Sequence, residues 1–426
     1  MNRIRRSRYR ASGTWLIPMC YALGAVLVAA SLPRLSFIFM PWFVSTISVN
    51  SAIGIYSSIA SGMLALTGIV FSLTFVMVQF SATAYSPRLV LWIASDPVMS
   101  HAIGVFTATF LYALASLAWV DRAGSGRVPL LGIIIVDGLL IVSILMFISL
   151  IQRVGMLQVT RMLIFTGDQG RRVIESLYPP IDAPPTLAPP EISKTKAAQR
   201  IFHHGRPQFV RAIDIPGLVE LASRHGCLIE LTAAVSDAVL DTTPVLTVWG
   251  ETGPLPEEQL RDLVDLGNER TFEQDPKYAI RLLVDIAIKA LSAAINDPTT
   301  AVQALDQIED LLIRLGRRRL EIGAFRDTAG NLRLLADFPA WEDFLRLAFD
   351  EIRYCGASSV QVMRRLRAVV LEMISVLPEE RRSALQYWEE RIQASVDRTF
   401  KDPEDRLDAS TADRQGLGTS RRRATH

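Results

Sequence analysis

Two acid-bearing motifs in the carboxy-terminal half have the spacing that a ligand or ion site would need. Residues 296–300 read Asn-Asp-Pro-Thr-Thr, in which Asp297 can cap a following helix whose first position suits proline. Upstream, Arg281, Asp285 and Lys289 recur every four residues and therefore share one helical face. The structural interpretation, which we favour, is a capped helical hairpin with a surface charge ladder. The functional interpretation is a cytoplasmic ligand site between two antiparallel helices, formed by Arg281, Asp285, Asn296 and Asp297.

A carboxylate also lies within one of the most apolar parts of the chain. Asp137 is eight residues past Pro129, and a carboxylate at the centre of a bilayer costs at least about 2.5 kcal/mol. It therefore needs either a polar partner or a position close enough to the outer interface to stay wet. The second alternative is feasible because the residue lies only about 12 Å from the start of its apolar run. Candidate partners on other apolar runs are Thr67, Ser72, Thr107 and Thr109.

A stripe of small and polar residues runs along the apolar stretch from Ser57 to Phe80. Its members step by three and four residues, so they line one narrow face of a helix; they are Ser58, Ser61, Ala65, Gly68, Ser72, Phe75 and Gln79. Small side chains let another backbone approach closely, and hydroxyl groups can bond across to it. The sequence therefore predicts that this face meets protein or water. The candidate intramembrane polar site consists of Ser61, Gly68, Ser72, Gln79 and Asp137.

Other reactive residues show no catalytic, metal or cofactor pattern. Cys20, Cys227 and Cys355 are scattered and form no C-x-x-C pair. His101 is a lone interfacial histidine, and His203–His204 has no second ligand pair at metal spacing. Phosphate-loop, dinucleotide, zinc-protease and nucleophile-elbow motifs are also missing. We therefore expect no catalytic residue, no metal and no cofactor, and the enzyme class is the least supported.

The scaffold for these residues is membrane-embedded. Half of the 426 residues are hydrophobic, the mean hydropathy is +0.26, and the apolar residues concentrate before residue 155. A net charge of +2 gives no indication of nucleic-acid binding. Residues 15–151 are predicted to form a four-helix transmembrane domain. Its spans are residues 15–32, 57–80, 102–120 and 128–151.

The flanks of these spans predict the topology. The basic residues 1–14 followed by an apolar run also fit a signal peptide, but we favour a retained span because Pro33 and Arg34 make a poor cleavage site. Residues 33–56 either lie in the interface or extend the first span past Pro33. Ten Arg and Lys residues flank the spans on one side and three on the other. This asymmetry predicts that both termini are cytoplasmic.

The rest of the chain reads as a cytoplasmic α+β domain, a small β-rich module followed by a helical region. Residues 152–177 predict an amphipathic helix leaving the membrane, and the six prolines of residues 178–191 predict an extended linker. Residues 192–255 are assigned to a small α/β module and residues 256–400 to a mainly helical domain. Residues 401–426 are expected to be disordered. Because residues 191–400 have their own apolar periodicities, we expect them to form a soluble fragment.

Local patterns give finer boundaries within this domain. Strands are predicted at residues 209–213, 228–233 and 245–249, with a helix at 216–225 capped by Asp214. A hairpin is predicted at residues 320–335, with its turn at 327–331. Further helices are predicted at residues 256–270, 276–294, 298–316, 339–353, 357–377 and 379–400.

Two separated segments carry a resemblance to a known family. Residues 59–90, IASGMLALTGIVFSLTFVMVQFSATAYSPRLV, and residues 269–312, ERTFEQDPKYAIRLLVDIAIKALSAAINDPTTAVQALDQIEDLL, resemble signatures of the bacterial DUF2254 family of predicted membrane proteins. The resemblance covers about residues 12–395. It implies four spans, a bacterial inner-membrane location and a cytoplasmic carboxy-terminal domain, and it implies no activity.

This chain departs from the family pattern at two places. Ala293 stands where the family typically has a proline. Ser236 and Thr242 stand where the family has glycines, in a turn that resembles those of lipoyl-like barrels. Because glycine is the residue that usually permits positive φ, the two replacements argue against that turn here.

Two functions fit these observations. The first is an oligomeric channel or transporter-like protein with a cytoplasmic sensing or gating domain. The second is a non-conducting, membrane-anchored signalling or structural adaptor, in which the stripe only packs helices. Under either function the expected partners are the lipid bilayer and further copies of this chain, with no nucleic acid and with the ligand unknown.

Overall fold

The chain forms two compact units, one of residues 8–158 and one that contains all residues from Val159 onward. We call them the membrane unit and the α+β unit and describe each by itself. The structure is a computed structural model. The residues that it describes are 16–39, 47–84, 97–120, 128, 130–154, 159–183, 197–250 and 253–418.

The membrane unit consists of four helices in its described residues. They are α1 (Leu16–Phe39), α2 (Val49–Ala84), α3 (Pro97–Trp119) and α4 (Leu130–Val154). Three of them contain stretches long and apolar enough to cross a membrane, namely Val49–Leu73, Val98–Trp119 and Leu130–Gln152. In α1 the apolar stretch Leu16–Ser31 is shorter. The helix itself continues past Pro33 to Phe39, as the extension alternative predicted, while residues 40–46 lie outside the described part.

Helix α3 forms the centre of the membrane unit. Of its span, 44% of the residues are buried, against 22% in each of the spans of α2 and α4. Glycines permit the close approaches around it. A Cβ at Gly104 would lie 2.7 Å from the Tyr21 ring of α1, and one at Gly132 of α4 would lie 2.7 Å from the Tyr56 hydroxyl of α2. Small residues thus bring these helices together, as expected where lipid offers no hydrophobic drive for helix association.

Two sheets organise the α+β unit. The larger has the strand order β1-β5-β3-β8-β7 and the smaller the order β4-β2-β6. Strand β3 pairs in parallel with β8, with Ile229 opposite Leu334. The strands are β1 (Ala197–Phe202), β2 (Gln208–Ile213), β3 (Leu228–Leu231), β4 (Ala238–Val239), β5 (Pro244–Trp249), β6 (Val264–Gly267), β7 (Ala324–Arg326) and β8 (Leu332–Leu335).

The predicted boundary at residue 255 is therefore wrong. The hairpin of β7 and β8 belongs to the predicted helical domain by sequence, yet it completes the sheet of the predicted β-rich module. The predicted helix at residues 256–270 also divides. A helix ends at Asp262, and β6 follows because β2 offers an edge for backbone pairing, with Ile213 opposite Val264. The two predicted modules are one folding unit.

Nine α-helices surround these sheets in the described residues. Helix α9 has the predicted bounds, and Asp214 caps α6 by accepting from the Gly217 N–H at 2.9 Å. The helices are α5 (Val159–Leu177), α6 (Ile215–His225), α7 (Glu257–Asp262), α8 (Pro276–Ala290), α9 (Pro298–Gly316), α10 (Trp341–Cys355), α11 (Val360–Val376), α12 (Arg382–Thr399) and α13 (Pro403–Ser410).

Helix α5 is part of the core of the α+β unit and not merely a connection out of the membrane. Its side chains at Met162, Leu163, Val173 and Ile174 are at most 6% exposed, and Arg171 donates to Asp310 of α9 at 2.6 Å. The start of the predicted linker is also fixed. The Ile181 N–H donates to the Arg317 carbonyl at 3.1 Å, and the Arg319 N–H to the Pro179 carbonyl at 3.0 Å. Residues 184–196 of that linker lie outside the described residues.

The predicted disordered tail is wrong as far as residue 418. Asp402 caps α13, and Asp413 is buried while accepting from the backbone N–H groups of Gln415 and Gly418. Gln361 of α11 donates to the Gly416 carbonyl at 2.7 Å. Side-chain hydrogen bonds to the tail backbone hold this segment, and such bonds leave no apolar periodicity in the sequence. Residues 419–426 lie outside the described part.

The turn that lacks the family glycines keeps a glycine-like backbone. Ser236 has φ 74° and Thr242 has φ 67°. The Thr242 N–H donates to the His203 carbonyl at 2.9 Å, which holds the residue in place. The argument from the two replaced glycines against a positive-φ turn was therefore wrong. For a β-branched residue such as threonine, this conformation is strained.

Replacing Thr242 by glycine is expected to stabilise the protein by about 1 kcal/mol, because glycine adopts positive φ without a steric penalty. Chemical denaturation of the purified protein measures the change as a higher midpoint at an unchanged slope. A lower midpoint would mean that the Thr242 side chain contributes more than its strained backbone costs.

The hairpin turn between β7 and β8 is organised by one aspartate. The Asp327 side chain is 6% exposed and accepts from Arg333 Nε at 2.7 Å and from the Ala329 and Asn331 backbone N–H groups at 3.0 and 2.9 Å. The Arg333 guanidinium, together with the hydrogen bonds from Asn331, lowers the pKa of Asp327 to about 2. The folded state thus favours the ionised carboxylate more than the unfolded chain does.

Asp327 is expected to make the stability of the α+β unit depend on pH in the acid range. Its unfolded pKa is about 4, so its contribution is full above about pH 4 and is lost as the pH falls towards 2. In Asp327→Asn, melting temperatures should be lower at pH 6 and should change less between pH 4 and pH 2 than in the wild type. Equal slopes in the two proteins would contradict the assignment.

Candidate functional site

The polar stripe lies on the outward face of α2. All seven stripe residues from Ser58 to Gln79 are exposed in the chain. The opposite face packs inside the unit, with Ala52, Tyr56, Met63 and Val70 at most 3% exposed. A Cβ at Gly68 would meet no atom within 4 Å. Among the described residues, the helices of the membrane unit therefore leave the middle of this stripe, around Gly68, uncovered.

Asp137 is likewise exposed, on the surface of α4. Two of its four candidate partners bond elsewhere. The Thr67 hydroxyl donates to the Met63 carbonyl at 2.7 Å, and the Thr109 hydroxyl donates to the Val105 carbonyl at 2.8 Å. Among the described residues no hydrogen bond links Asp137 to Ser72 or Thr107, or to any member of the stripe. The structure thus does not gather the five predicted intramembrane residues into one hydrogen-bonded site.

Polar groups inside the membrane unit pair with one another. The Thr109 hydroxyl of α3 lies 2.9 Å from the Ser143 hydroxyl of α4, and both are fully buried. The Tyr112 hydroxyl donates to the Gly132 carbonyl at 3.4 Å. These contacts join α3 to α4 by hydrogen bonds of the kind that stabilise helix pairs in lipid. Buried polar groups at Thr109, Ser143 and Tyr112 therefore bond one helix to the next.

The predicted cytoplasmic residues form structural contacts in the α+β unit. Arg281 Nε donates to Asp285 at 2.6 Å, and its guanidinium also pairs with Glu351 of α10. Asp297 caps α9 by accepting from the Thr300 N–H at 3.1 Å and from its hydroxyl at 2.6 Å. Arg281 lies nine residues before the end of α8, roughly 13 Å along the helix axis. These are the contacts of a capped, charged hairpin, and a ligand site at these residues stays a prediction.

The histidines contribute to loop structure. His203 is buried, with Nε2 2.8 Å from the Arg206 carbonyl oxygen. His204 lies 3.4 Å from Asp241 on the surface. Within the described residues, no group of three His, Cys, Asp or Glu side chains is placed to hold a metal ion.

A site that the sequence did not reveal surrounds Asp275, the N-cap of α8. Asp275 is 2% exposed. Its carboxylate accepts one hydrogen bond from the Lys277 N–H at 2.9 Å and another from the Ser236 hydroxyl. The positive φ of Ser236 is part of this arrangement, and Arg270 Nε donates to the Ser236 carbonyl at 3.0 Å. Burial raises the pKa of Asp275. A strained residue bonded to a buried acid is a combination that clusters at functional sites.

A cavity of about 30 Å³ lies beside Asp275. Its apolar wall includes Ile213, Ile215, Leu231 and Phe338, and its polar groups come from Tyr178, Gln274, Asp275, Lys277 and Asp337. Gln274 is occupied, because its side-chain amide bonds both the N–H and the carbonyl of Ile213. Tyr178 is 1% exposed, and among the described residues its hydroxyl has no hydrogen-bond partner.

One signal in the sequence pointed towards this site. Asp275-Pro276 repeats the capping dipeptide of Asp297-Pro298, and both lie in the segment that carries the family resemblance. Spacing alone does not show that the first acid is buried. Its partner Ser236 is 39 residues away, on the turn whose conformation the sequence misassigned.

Comparisons with known proteins agree on the class of this chain. A model of the DUF2254 family, described as predicted membrane protein, matches residues 11–372. An uncharacterised protein of Mycobacterium bovis and one of Mycobacterium tuberculosis are each 27% identical to the chain, over 93% of this chain and 79% of theirs. No solved structure matches.

Proposed function

The chain belongs to the DUF2254 family of predicted membrane proteins, and from this premise we propose that it works as a homo-oligomeric channel or transporter-like protein. The pathway lies between subunits, where the outward polar residues of α2 and α4 meet. The α+β unit is the sensing or gating domain. Catalysis is not part of this proposal, since no catalytic motif in the sequence supports it.

The proposed setting is the bacterial cytoplasmic membrane, with α1 as the fourth span and both termini in the cytoplasm. Support comes from the excess of Arg and Lys beside the amino terminus, between α2 and α3, and after α4. Lipid and further copies of the chain are the proposed partners.

The position of Asp137 carries the proposal. It is the eighth residue of the 25 in α4, about 10 Å along the helix from its start, and it is exposed on the surface of the unit. Facing lipid at that depth, an ionised carboxylate is unfavourable unless water reaches it. A second copy of the chain or a water-filled path between copies removes this penalty. The uncovered stripe on α2 supports the same arrangement independently.

Ion flux from liposomes that contain the purified protein tests the proposal. We expect cation efflux that falls at least tenfold in Asp137→Asn and persists in Asp137→Glu, because the asparagine keeps the size and removes the charge. Both variants should retain the oligomeric state of the wild type. No flux from the wild type above that of empty liposomes, with the oligomer intact, would contradict the proposal.

The adaptor is the second candidate, and the size of the stripe residues favours it. Ser61, Ala65 and Gly68 are small enough for two helices to pack closely, and close packing needs no water. Under this alternative the oligomer forms without any flux. Asp137→Asn would then strengthen the assembly or leave it unchanged, since it removes a charge that is exposed in the single chain and that assembly would bury.

A further inference from the structure

We propose that the cavity beside Asp275 is a binding site for a small neutral molecule with one hydrogen-bonding oxygen, a hydroxyl or a carbonyl. The Tyr178 hydroxyl binds that oxygen, and the apolar wall holds the carbon body. The proposal concerns the α+β unit alone and does not depend on conduction through the membrane.

The Tyr178 hydroxyl is the observation that points to a ligand. It is buried at the cavity wall without a partner among the described residues. Leaving such a group unpaired costs about 1–3 kcal/mol. The ring stays in place because it packs edge-on against Phe338 and Phe344, with centroids 6.3 and 6.5 Å away. Burial raises the pKa of Tyr178, so the hydroxyl stays protonated and able to donate.

The charges around the cavity favour a neutral ligand. Both carboxylate oxygens of Asp275 already accept hydrogen bonds, one from the Ser236 hydroxyl and one from the Lys277 N–H. The positive charge of Lys277 partly compensates the negative charge of the Asp275 carboxylate at the inner wall. Asp337, the other carboxylate, is exposed to solvent. An anion would be repelled by Asp275 and a cation by Lys277, whereas a neutral oxygen is repelled by neither charge and can accept a hydrogen bond from the Tyr178 hydroxyl.

The volume restricts the ligand to a small molecule. About 30 Å³ holds a few water-sized groups. The exposed Asp337 and half-buried Lys277 show that the cavity reaches the surface, so a ligand has an entry path. The largely hydrophobic wall favours a molecule with a carbon body over water alone, because burying apolar surface against it is favourable.

Tyr178 directly follows α5, and α5 is the first described element after the last span of the membrane unit. A ligand that pairs with Tyr178 therefore stabilises the end of this helix. Any effect of this ligand on conduction rests on the proposed sensing function, whereas the binding of the ligand to the cavity does not. Binding without any effect on flux would remove the regulatory step only.

Hydrogen–deuterium exchange of the full-length protein in detergent tests the binding. Three two-carbon probes differ in charge: ethanol, ethylammonium and acetate. We expect ethanol to slow exchange in the peptides that contain Tyr178 and residues 231–235, in a saturable manner, and the two charged probes to leave them unchanged. Stronger protection by either charged probe would overturn the assignment of a neutral ligand, and no protection by any probe would mean that the cavity holds water only.

The variant Tyr178→Phe keeps the ring and removes only the hydroxyl. It should bind ethanol about tenfold more weakly, the effect of one hydrogen bond. Without any probe it should melt at a temperature no lower than the wild type, because the removed group has no partner. Tyr387→Phe, which changes an exposed tyrosine, is the matched control and should bind as the wild type does. Unchanged ethanol binding in Tyr178→Phe would overturn the role of the phenol.

Discussion

A fragment of residues 159–418 is expected to fold and melt cooperatively, whereas residues 191–400 are expected not to. The longer fragment keeps α5, whose buried Met162, Leu163, Val173 and Ile174 pack into the unit, and it keeps the tail that bonds to α11. Each fully buried side chain of this size contributes about 1.5–3 kcal/mol. Losing all four removes an amount comparable to the whole stability of a typical domain, about 5–15 kcal/mol.

Circular dichroism during heating measures this difference. The matched control is residues 191–418, which lacks only α5 and the segment after it, so that the effects of helix and tail are separated. We expect the control to resemble the shorter fragment. If residues 191–400 melt cooperatively at the temperature of the longer fragment, α5 does not belong to the core and the boundary inferred from the sequence is right.

The second large effect is expected at Gly68. Gly68→Leu should reduce oligomer formation strongly, since overpacking typically costs about 1–3 kcal/mol. Among the described residues, no atom of another element lies within 4 Å of the new Cβ, so the variant should leave the fold of the single chain unchanged. Light scattering of the detergent-solubilised protein, after size-exclusion chromatography, measures the mass of the assembly.

Gly62→Leu is the matched control for this experiment. Gly62 is also exposed on α2 with open space around it, but it lies ~120° around the helix from Gly68. A neighbouring residue such as Leu66 is not a suitable lipid-facing control, because it is partly buried against the apolar cluster that contains Met63 and Val70. An equal loss of assembly in both variants, or no loss in either, would contradict the hypothesis that the stripe is the contact between copies.

Local signals in the sequence predicted local structure well. The capping aspartates Asp214 and Asp297 begin their helices in the structure, and the proline after Asp297 sets the start of α9. The hairpin turn was predictable because Asp327 and Gly330 are turn residues, and the Asp327 N–H donates to the Asn331 carbonyl at 2.9 Å. The family was confirmed by the match over residues 11–372, and three of the four predicted spans are helices long and apolar enough to cross a membrane.

Long-range pairing could not be predicted from those signals. Strand β6 has only four residues and follows a helical pattern, so its assignment depends on β2, which lies about 50 residues earlier. Helix α5 has the amphipathic pattern of either an interfacial or a core helix, and only its partners on α9 decide between them. The tail is held by Gln361 and Arg364 through backbone oxygens, contacts that no periodicity records.

For the candidate sites too, the sequence identified individual residues but not which of them the fold brings together. Spacing identified Asp137 and the stripe, but it did not show that both are exposed on the surface of the chain. The cavity beside Asp275 is lined by five separate segments of the chain, with Tyr178, Asp275 and Phe338 among their residues, and these segments meet only in the fold. Its sign in the sequence is the capping dipeptide Asp275-Pro276, which does not show that the acid is buried.

Disulfide cross-linking in native membranes tests most directly whether the outward stripe of α2 meets a second copy. The background replaces the exposed Cys20 and Cys355 by serine, and single cysteines are introduced as Gly68→Cys on the stripe and Gly62→Cys on the flank. We predict that mild oxidation yields covalent dimers from Gly68→Cys and few or none from Gly62→Cys. Dimers from Gly62→Cys alone, or none from either variant, would contradict the proposed assembly.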